Sequence, residues 1–297
     1  MIAIRNILCP VDLSDHSATV FGYATMLARW YGSTLTALEM IWVGIPTLPA
    51  AASPIVLQPE QVKDFTEELR QFVKKHAPSE VAVTQVLREG PIVAGILDEA
   101  RRRSADMIVL GTHGRGGFER FVLGSVAEKV LRLSHLPVLT IPAAAAPAPT
   151  SARPFTSIVC PVDFSPASLK ALRYALSLAQ ESGKRLTLLH VFDWDADRPM
   201  PVGLGPEFAS MLRHRETEAL DELRALVSPE AREWCDCREI TAIGRPYEEI
   251  LRVGRETEAD LIVMGVHGRS VVELSFFGST TNQIVRHATC PVLTIRP

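Results

Sequence analysis

The chain carries almost no surplus charge of either sign, a net −3 over 297 residues. It therefore lacks the basic field that draws a protein to nucleic acid or to an anionic membrane, and neither partner is expected. The short run Arg101-Arg102-Arg103 reads as the last turn of a helix, where cations suit the dipole. No apolar stretch approaches the roughly 20 residues of a membrane-crossing helix. Residues 1–5 show neither the charged start nor the long apolar core of a secretion signal, so the expected location is cytoplasmic. Cysteine is scarce and odd in number, five in all. Cys9, Cys160 and Cys290 lie in or beside apolar runs, and the cysteines as a group read as buried, reduced thiols. Cys235 and Cys237 have no further metal ligands near them in the sequence.

What the chain does have is a duplication. Residues 6–14 (NILCPVDLS) return as 157–165 (SIVCPVDFS), 105–115 (ADMIVLGTHGR) as 259–269 (ADLIVMGVHGR), and 137–141 (PVLTI) as 291–295. The order is kept and the offset is nearly constant, which marks an internal repeat. An alanine- and proline-rich stretch at about 142–153 reads as a short, fairly stiff linker. The expected domains are residues 1–147 and 148–297.

Apolar periodicity alternates between strand and helix within each copy. In the first, strands are expected at 4–11, 34–42, 81–87, 107–110 and 138–141. Helices are expected over 17–31, around 62–73, over 92–103 and over 125–134, with a proline-rich excursion at 44–59. The second copy is expected to repeat this order, with Phe208, Met211, Leu212, Leu223 and Leu226 as the buried stripe of its second helix. Strands alternating with helices imply right-handed crossovers and a parallel sheet covered on both faces. The fold class is thus α/β, two tandem doubly wound domains of five parallel strands.

The chemistry concentrates after strand four. Gly111-Thr-His-Gly114 is followed by nine residues and then Gly124-Ser125; Gly265-Val-His-Gly268 is followed by nine and then Gly278-Ser279. Glycine lets backbone N–H groups approach an anion, and a helix start offers unpaired N–H groups and a favourable dipole. Ser125 is expected either to cap its helix or to donate to a phosphate. Such glycines and serines also occur merely to make a turn and a cap. Asp12 and Asp163 close strand one and either cap the next helix or face the glycine loop across the crevice, where they could help hold Mg²⁺. Arg115 and Arg269 suit phosphate by their guanidinium fork. His113 and His267 have no partner placed beside them by the sequence, so no catalytic residue is assigned. Neither loop is followed by the lysine of G-x-x-x-x-G-K-[ST], and strand one lacks G-x-G-x-x-G.

With these motifs the chain resembles a tandem universal stress protein over essentially its whole length apart from the linker. The G-x-x-G, nine residues, G-[ST] pattern is similar to that of the family's ATP-binding branch. The resemblance implies the adenine nucleotide alpha hydrolase-like fold with strand order 3-2-1-4-5. It implies ATP as ligand, Mg²⁺ with it, and a role as stress-response sensor or regulator rather than an enzyme. The implied nucleotide positions are Pro10, Asp12, Met40, Leu110, Gly111, Gly114, Arg115, Gly124, Ser125 and Val126. In the second copy they are Pro161, Asp163, Val191, Met264, Gly265, Gly268, Arg269, Gly278, Ser279 and Thr280. Strand five is expected to be an edge along which such domains pair, giving a pseudo-dimer within the chain or a homodimer, besides unknown protein partners. A nucleotide-free interaction module and a slow ATPase are the alternative readings. The copies differ where Glu39-Met40 stands against His190-Val191, and where Gly116-Gly117 stands against Ser270-Val271. Glu39 is expected to point away from the pocket.

Overall fold

The computed structural model describes residues 2–41, 58–114, 123–148, 155–180, 184–193, 206–266 and 278–297, and for 206–209 the backbone alone. Most of the expected 44–59 excursion, the end of the linker and the 116–117 and 270–271 turns lie outside these residues. The chain divides into two compact units, residues 3–154 and 155–297.

In the first unit the elements run β1 (Asn6–Val11), α1 (Asp15–Tyr31), β2 (Thr34–Ile41), α2 (Pro59–His76), β3 (Val83–Glu89), α3 (Ile92–Arg102), β4 (Met107–Gly111), α4 (Ser125–Leu133) and β5 (Val138–Ile141). The second runs β6 (Ser157–Pro161), α5 (Pro166–Ala179), β7 (Lys184–Asp193), α6 (Pro206–Ala225), α7 (Pro229–Trp234), β8 (Cys235–Gly244), α8 (Pro246–Glu256), β9 (Leu261–Gly265), α9 (Ser279–His287) and β10 (Val292–Ile295). The first unit's strands lie in the order β3-β2-β1-β4-β5 and the second's in the order β8-β7-β6-β9-β10. Each is the expected 3-2-1-4-5, and the pairings within each unit are parallel.

The central strands are apolar because helices cover both faces. Ile7, Leu8 and Cys9 of β1 and Ile108 and Val109 of β4 are almost fully buried. Each such aliphatic side chain contributes about 1.5–3 kcal/mol on leaving water. The repeated Ala-Asp before strand four has a structural use. Arg5 and Asn6 N–H both donate to Asp106 Oδ2, and Thr156 and Ser157 N–H donate to the Asp260 carboxylate. These aspartates tie the starts of the central strands together, at the end away from Asp12 and Asp163. Glu99 is buried on α3, and although burial raises its pKa, hydrogen bonds from Arg103 and Arg88 outweigh that and lower it.

Three expectations change. Ser228 caps an additional short helix, α7, through the Ala231 N–H, so the second unit is not a plain repeat. Met211 is 46% exposed, whereas Leu223 of the expected stripe is buried, with Ala219 one turn before it. Cys237 and Cys290 are only half-buried, whereas Cys9, Cys160 and Cys235 are buried as expected.

Candidate functional site

The turn from β1 into α1 sets the floor of the site. Leu13 and its counterpart Phe164 hold φ of 59° and 62°, a left-handed conformation uncommon for such residues and costing on the order of 1 kcal/mol or more. The turn folds Asp12 back on its own chain. Its Oδ1 accepts from the Ser14 N–H at 3.1 Å, from the Ser14 hydroxyl at 2.6 Å and from the Ser17 hydroxyl. Ser14 Oγ in turn accepts from the Ser17 N–H and is the N-cap of α1. Asp163 repeats the arrangement with Ser165, the N-cap of α5. The capping role considered for these aspartates therefore belongs to the serines. The aspartates brace the caps, and Asp12 Oδ2 lies beside Gly114, 3.1 Å from where a Cβ would stand.

Above that floor is a cleft of about 940 Å³ at the carboxyl ends of β1, β2 and β4. It gathers Pro10, Asp12, Met40, Leu110, Gly111, Gly114, Gly124, Ser125 and Val126. Nine of the ten positions expected in the first copy thus meet in one place. Arg115, the tenth, lies outside the described residues, as do Gly268, Arg269 and His267 of the second copy. There Pro161 ends β6, Val191 lies in β7, Met264 and Gly265 end β9, and Gly278-Ser279-Thr280 open α9.

The glycines serve close approach rather than unusual backbone angles, since Gly111, Gly114 and Gly124 are not among the positive-φ glycines. A Cβ on Gly111 would meet the His16 ring at 2.7 Å, and one on Gly124 would meet Thr112 O at 2.9 Å. On Gly265 it would strike the α5 backbone, and on Gly278 it would come within 2.7 Å of Val266 O. Gly124 is itself the N-cap of α4, and Gly278 that of α9; neither helix start has a side-chain cap. Ser125 is the first helical residue and does not cap. The first-turn N–H groups of α4 therefore open on the cleft without an internal acceptor from a capping side chain.

Two titratable lining residues, His16 and Glu128, escaped the sequence reading. His16 projects under Gly111 and its Nε2–H donates to Ile141 O at 3.2 Å. Burial lowers its pKa first of all, the Ile141 bond opposes that, His113 lowers it further, and Asp12 raises it. His113 itself lines the cleft, with Nδ1 2.9 Å from the Thr112 hydroxyl. Glu128, on the first turn of α4, brings a carboxylate to the helix-start end of the cleft, and Glu39, expected to point away from the pocket, is 5% exposed and among the residues that line it. Met40 lays its thioether across Gly95 of α3 and closes the far wall. The repeat offered one signal for the differences. At the positions of His16, Glu39 and Glu128 the second copy has Ala167, His190 and Asn282. His190 hydrogen-bonds Val162 O at 2.7 Å and packs between the rings of Phe164, tilted to it, and Phe192, edge-on to it.

Among the described residues there is no cluster of three metal-ligating side chains, and no helix is long and apolar enough to cross a membrane. The sequence profile described as Universal stress protein family matches residues 3–142 and again 154–296. Over 304 aligned residues the chain is 26% identical to a universal stress protein of Mycolicibacterium smegmatis, spanning 98% of this chain and 97% of that one. It is 34% identical over 139 residues to one from Methanocaldococcus jannaschii, spanning 46% of this chain and 81% of the other. A solved universal stress protein from Archaeoglobus fulgidus shares the fold, with a TM-score of 0.68 and 23% identity over 98% of both chains.

Proposed function

The chain belongs to the universal stress protein family, with two tandem domains, and on that premise we propose that it binds ATP with Mg²⁺ and acts as a stress-response sensor or regulator. Nucleotide-dependent conformation or assembly would be its output. One observation carries this reading: the uncapped start of α4, the Gly111–Gly114 loop and the Asp12 carboxylate converge on one cleft. Backbone N–H groups at a helix start and a glycine loop suit a polyphosphate. The Ser125 hydroxyl and the Val126 N–H would join them, and Arg115 would reach the phosphates from the loop. Pro10, Leu110 and the main chain of Met40 would flank the ribose and base.

Mg²⁺ keeps several waters and is held largely by substrate phosphates, so one carboxylate suffices as its protein contact. Asp12 offers the oxygen beside Gly114 for that purpose. Its other oxygen already accepts three hydrogen bonds, which leaves little capacity for a general base. The second unit repeats Pro161, Asp163, Val191, Met264, Gly265, Gly268, Arg269, Gly278, Ser279 and Thr280, and we assign it a second nucleotide.

Denaturing the purified protein in acid and chromatographing the supernatant tests for bound adenine nucleotide. Calorimetric titration with ATP and Mg²⁺ then counts sites, with two per chain expected. No released nucleotide together with no heat of binding would end this reading in favour of a nucleotide-free interaction module.

A further inference from the structure

Gly95 lies inside α3, where glycine is less favourable than alanine. No backbone demand accounts for it. Gly95 is not among the positive-φ glycines, and its N–H makes an ordinary helical bond to Pro91 O at 2.9 Å. What the missing side chain does is leave a niche. A Cβ at this position would overlap the Met40 Cε methyl and stand 2.7 Å from Met40 Sδ. Met40 reaches the niche from β2 and lines the first cleft together with Ile92 and Ile96 of α3. Gly95 itself is not one of the lining residues.

We propose, on the premise that the first cleft takes a nucleotide, that Gly95 is the positioning residue for its base. By giving the Met40 thioether a resting place against α3, it keeps that side chain out of the space the base enters. Non-bonded heavy atoms pack best at about 3.5–4.0 Å, so a methyl group at position 95 would push the sulfur back by about 1 Å. Side chains move between staggered rotamers rather than by small steps, and the thioether would swing away as a unit. The wall beside it is closed, since Leu38 and Ile96 are fully buried or nearly so, and a close-packed interior has no void for a displaced side chain. The open direction is the cleft, with its volume of about 940 Å³. In its niche the same thioether offers a base an apolar and adaptable wall.

The second copy makes the reverse exchange. The counterparts of Met40 and Gly95 there are Val191 and Glu249, so a shorter strand residue accompanies a longer helix residue. Glu249 is held on its own helix, where its Oε2 accepts from Arg252 Nε at 2.9 Å and Nη2 at 2.7 Å. The sizes at the two positions trade against each other between the copies, as side chains drawing on one space do. Room for the base is thus set in the first unit by a residue that does not touch it.

The test is calorimetric titration of ATP with Mg²⁺ into full-length wild type, Gly95→Ala, and the double variant Gly95→Ala/Met40→Val, which installs the strand residue of the second copy. Overpacking of this size corresponds to about 5- to 150-fold in Kd. Gly95→Ala is expected to weaken one of the two sites by that factor and to leave the other unchanged. Its Tm is expected to stay close to wild type, because alanine suits a helix and the thioether moves into open space. The double variant is expected to recover most of the lost affinity, which a merely structural defect at position 95 would not do. Wild type that binds no ATP overturns the nucleotide reading and this inference with it. Wild type that binds ATP, with Gly95→Ala as tight at both sites, overturns this inference alone. So does a double variant no tighter than Gly95→Ala, since the loss would not then pass through Met40.

Discussion

A single methyl group on Gly124 or Gly278 tests whether the helix starts hold phosphate. The new carbon would stand 2.9 Å from Thr112 O in the first unit and 2.7 Å from Val266 O in the second. A carbon and a carbonyl oxygen rest comfortably at about 3.3 Å or more, so α4 must give by roughly 0.4 Å and α9 by roughly 0.6 Å. The carbonyl in the first unit cannot simply retreat, since the Gly124 N–H donates to that same oxygen at 2.8 Å. Overpacking of this kind costs about 1–3 kcal/mol. Alanine restricts the unfolded chain and recovers about 0.4–1 kcal/mol. A net loss of about 1–2 kcal/mol corresponds to a fall of about 3–8 °C in Tm. Displacing the first turn should also remove at least one hydrogen bond to a charged phosphate, worth about 1.5–3 kcal/mol, or about 10- to 150-fold in Kd. The assay is calorimetric titration of ATP with Mg²⁺ into Gly124→Ala, Gly278→Ala and the double variant, with melting curves alongside. Each single variant should weaken one of two sites, Gly278→Ala the more severely. If the double variant shows the lowered Tm but binds ATP as tightly as wild type, the helix starts do not hold the phosphates. Gly114→Ala completes the series: among the described residues its new carbon meets Asp12 Oδ2 alone, at 3.1 Å, so its Tm should stay close to wild type while nucleotide affinity falls.

Two further outcomes depend on how the first cleft differs from the second copy. Glu128→Gln removes a carboxylate from the phosphate side of α4; without Mg²⁺ it should tighten ATP binding about two- to fivefold at low ionic strength, from about 0.3–1 kcal/mol of charge at a helix start. The same titration in EDTA checks this, and an unchanged affinity would place Glu128 away from the ligand. His16 has its pKa lowered in the fold, so the unfolded chain takes up its proton first as pH falls. Stability from this group is complete above the unfolded pKa of about 6.5 and is lost below it, down to the lower folded value. His113 and Asp12 are the titratable groups beside it. His16→Ala, which gives the first unit the residue of the second, should therefore lose less Tm than wild type between about pH 7.5 and pH 5.5; parallel curves would refute it.

Much of the fold was legible because the signals were local and doubled. The continuously apolar runs over 107–110 and 138–141 read as buried parallel strands, and each recurs in the second copy. The expected stripe on α6 failed at Met211 because periodicity shows which residues share a face but not where along the helix contact ends. The helix α7 was missed because six residues carry too little periodicity, although Ser228-Pro229 is a start signal in retrospect. For the site, spacing pointed to the glycines and Asp12 that the fold gathers in one cleft, and it left Ser125 open between cap and phosphate donor, since whether Gly124 or Ser125 occupies the N-cap depends on one backbone angle.

The sequence by itself determined that there are two copies, that each is a parallel α/β unit, and that glycines, serine and aspartate recur at fixed spacing. These are matters of order and periodicity along the chain. Only the tertiary structure decided why the glycines are needed, because a carbonyl or a histidine ring from elsewhere in the unit stands within 3 Å of the missing Cβ. It alone decided that Asp12 braces a serine cap while turning one oxygen to the loop. It also brought His16 and Glu128 into the cleft. Proximity of this kind depends on how helices cross the sheet, and no single stretch of chain records it.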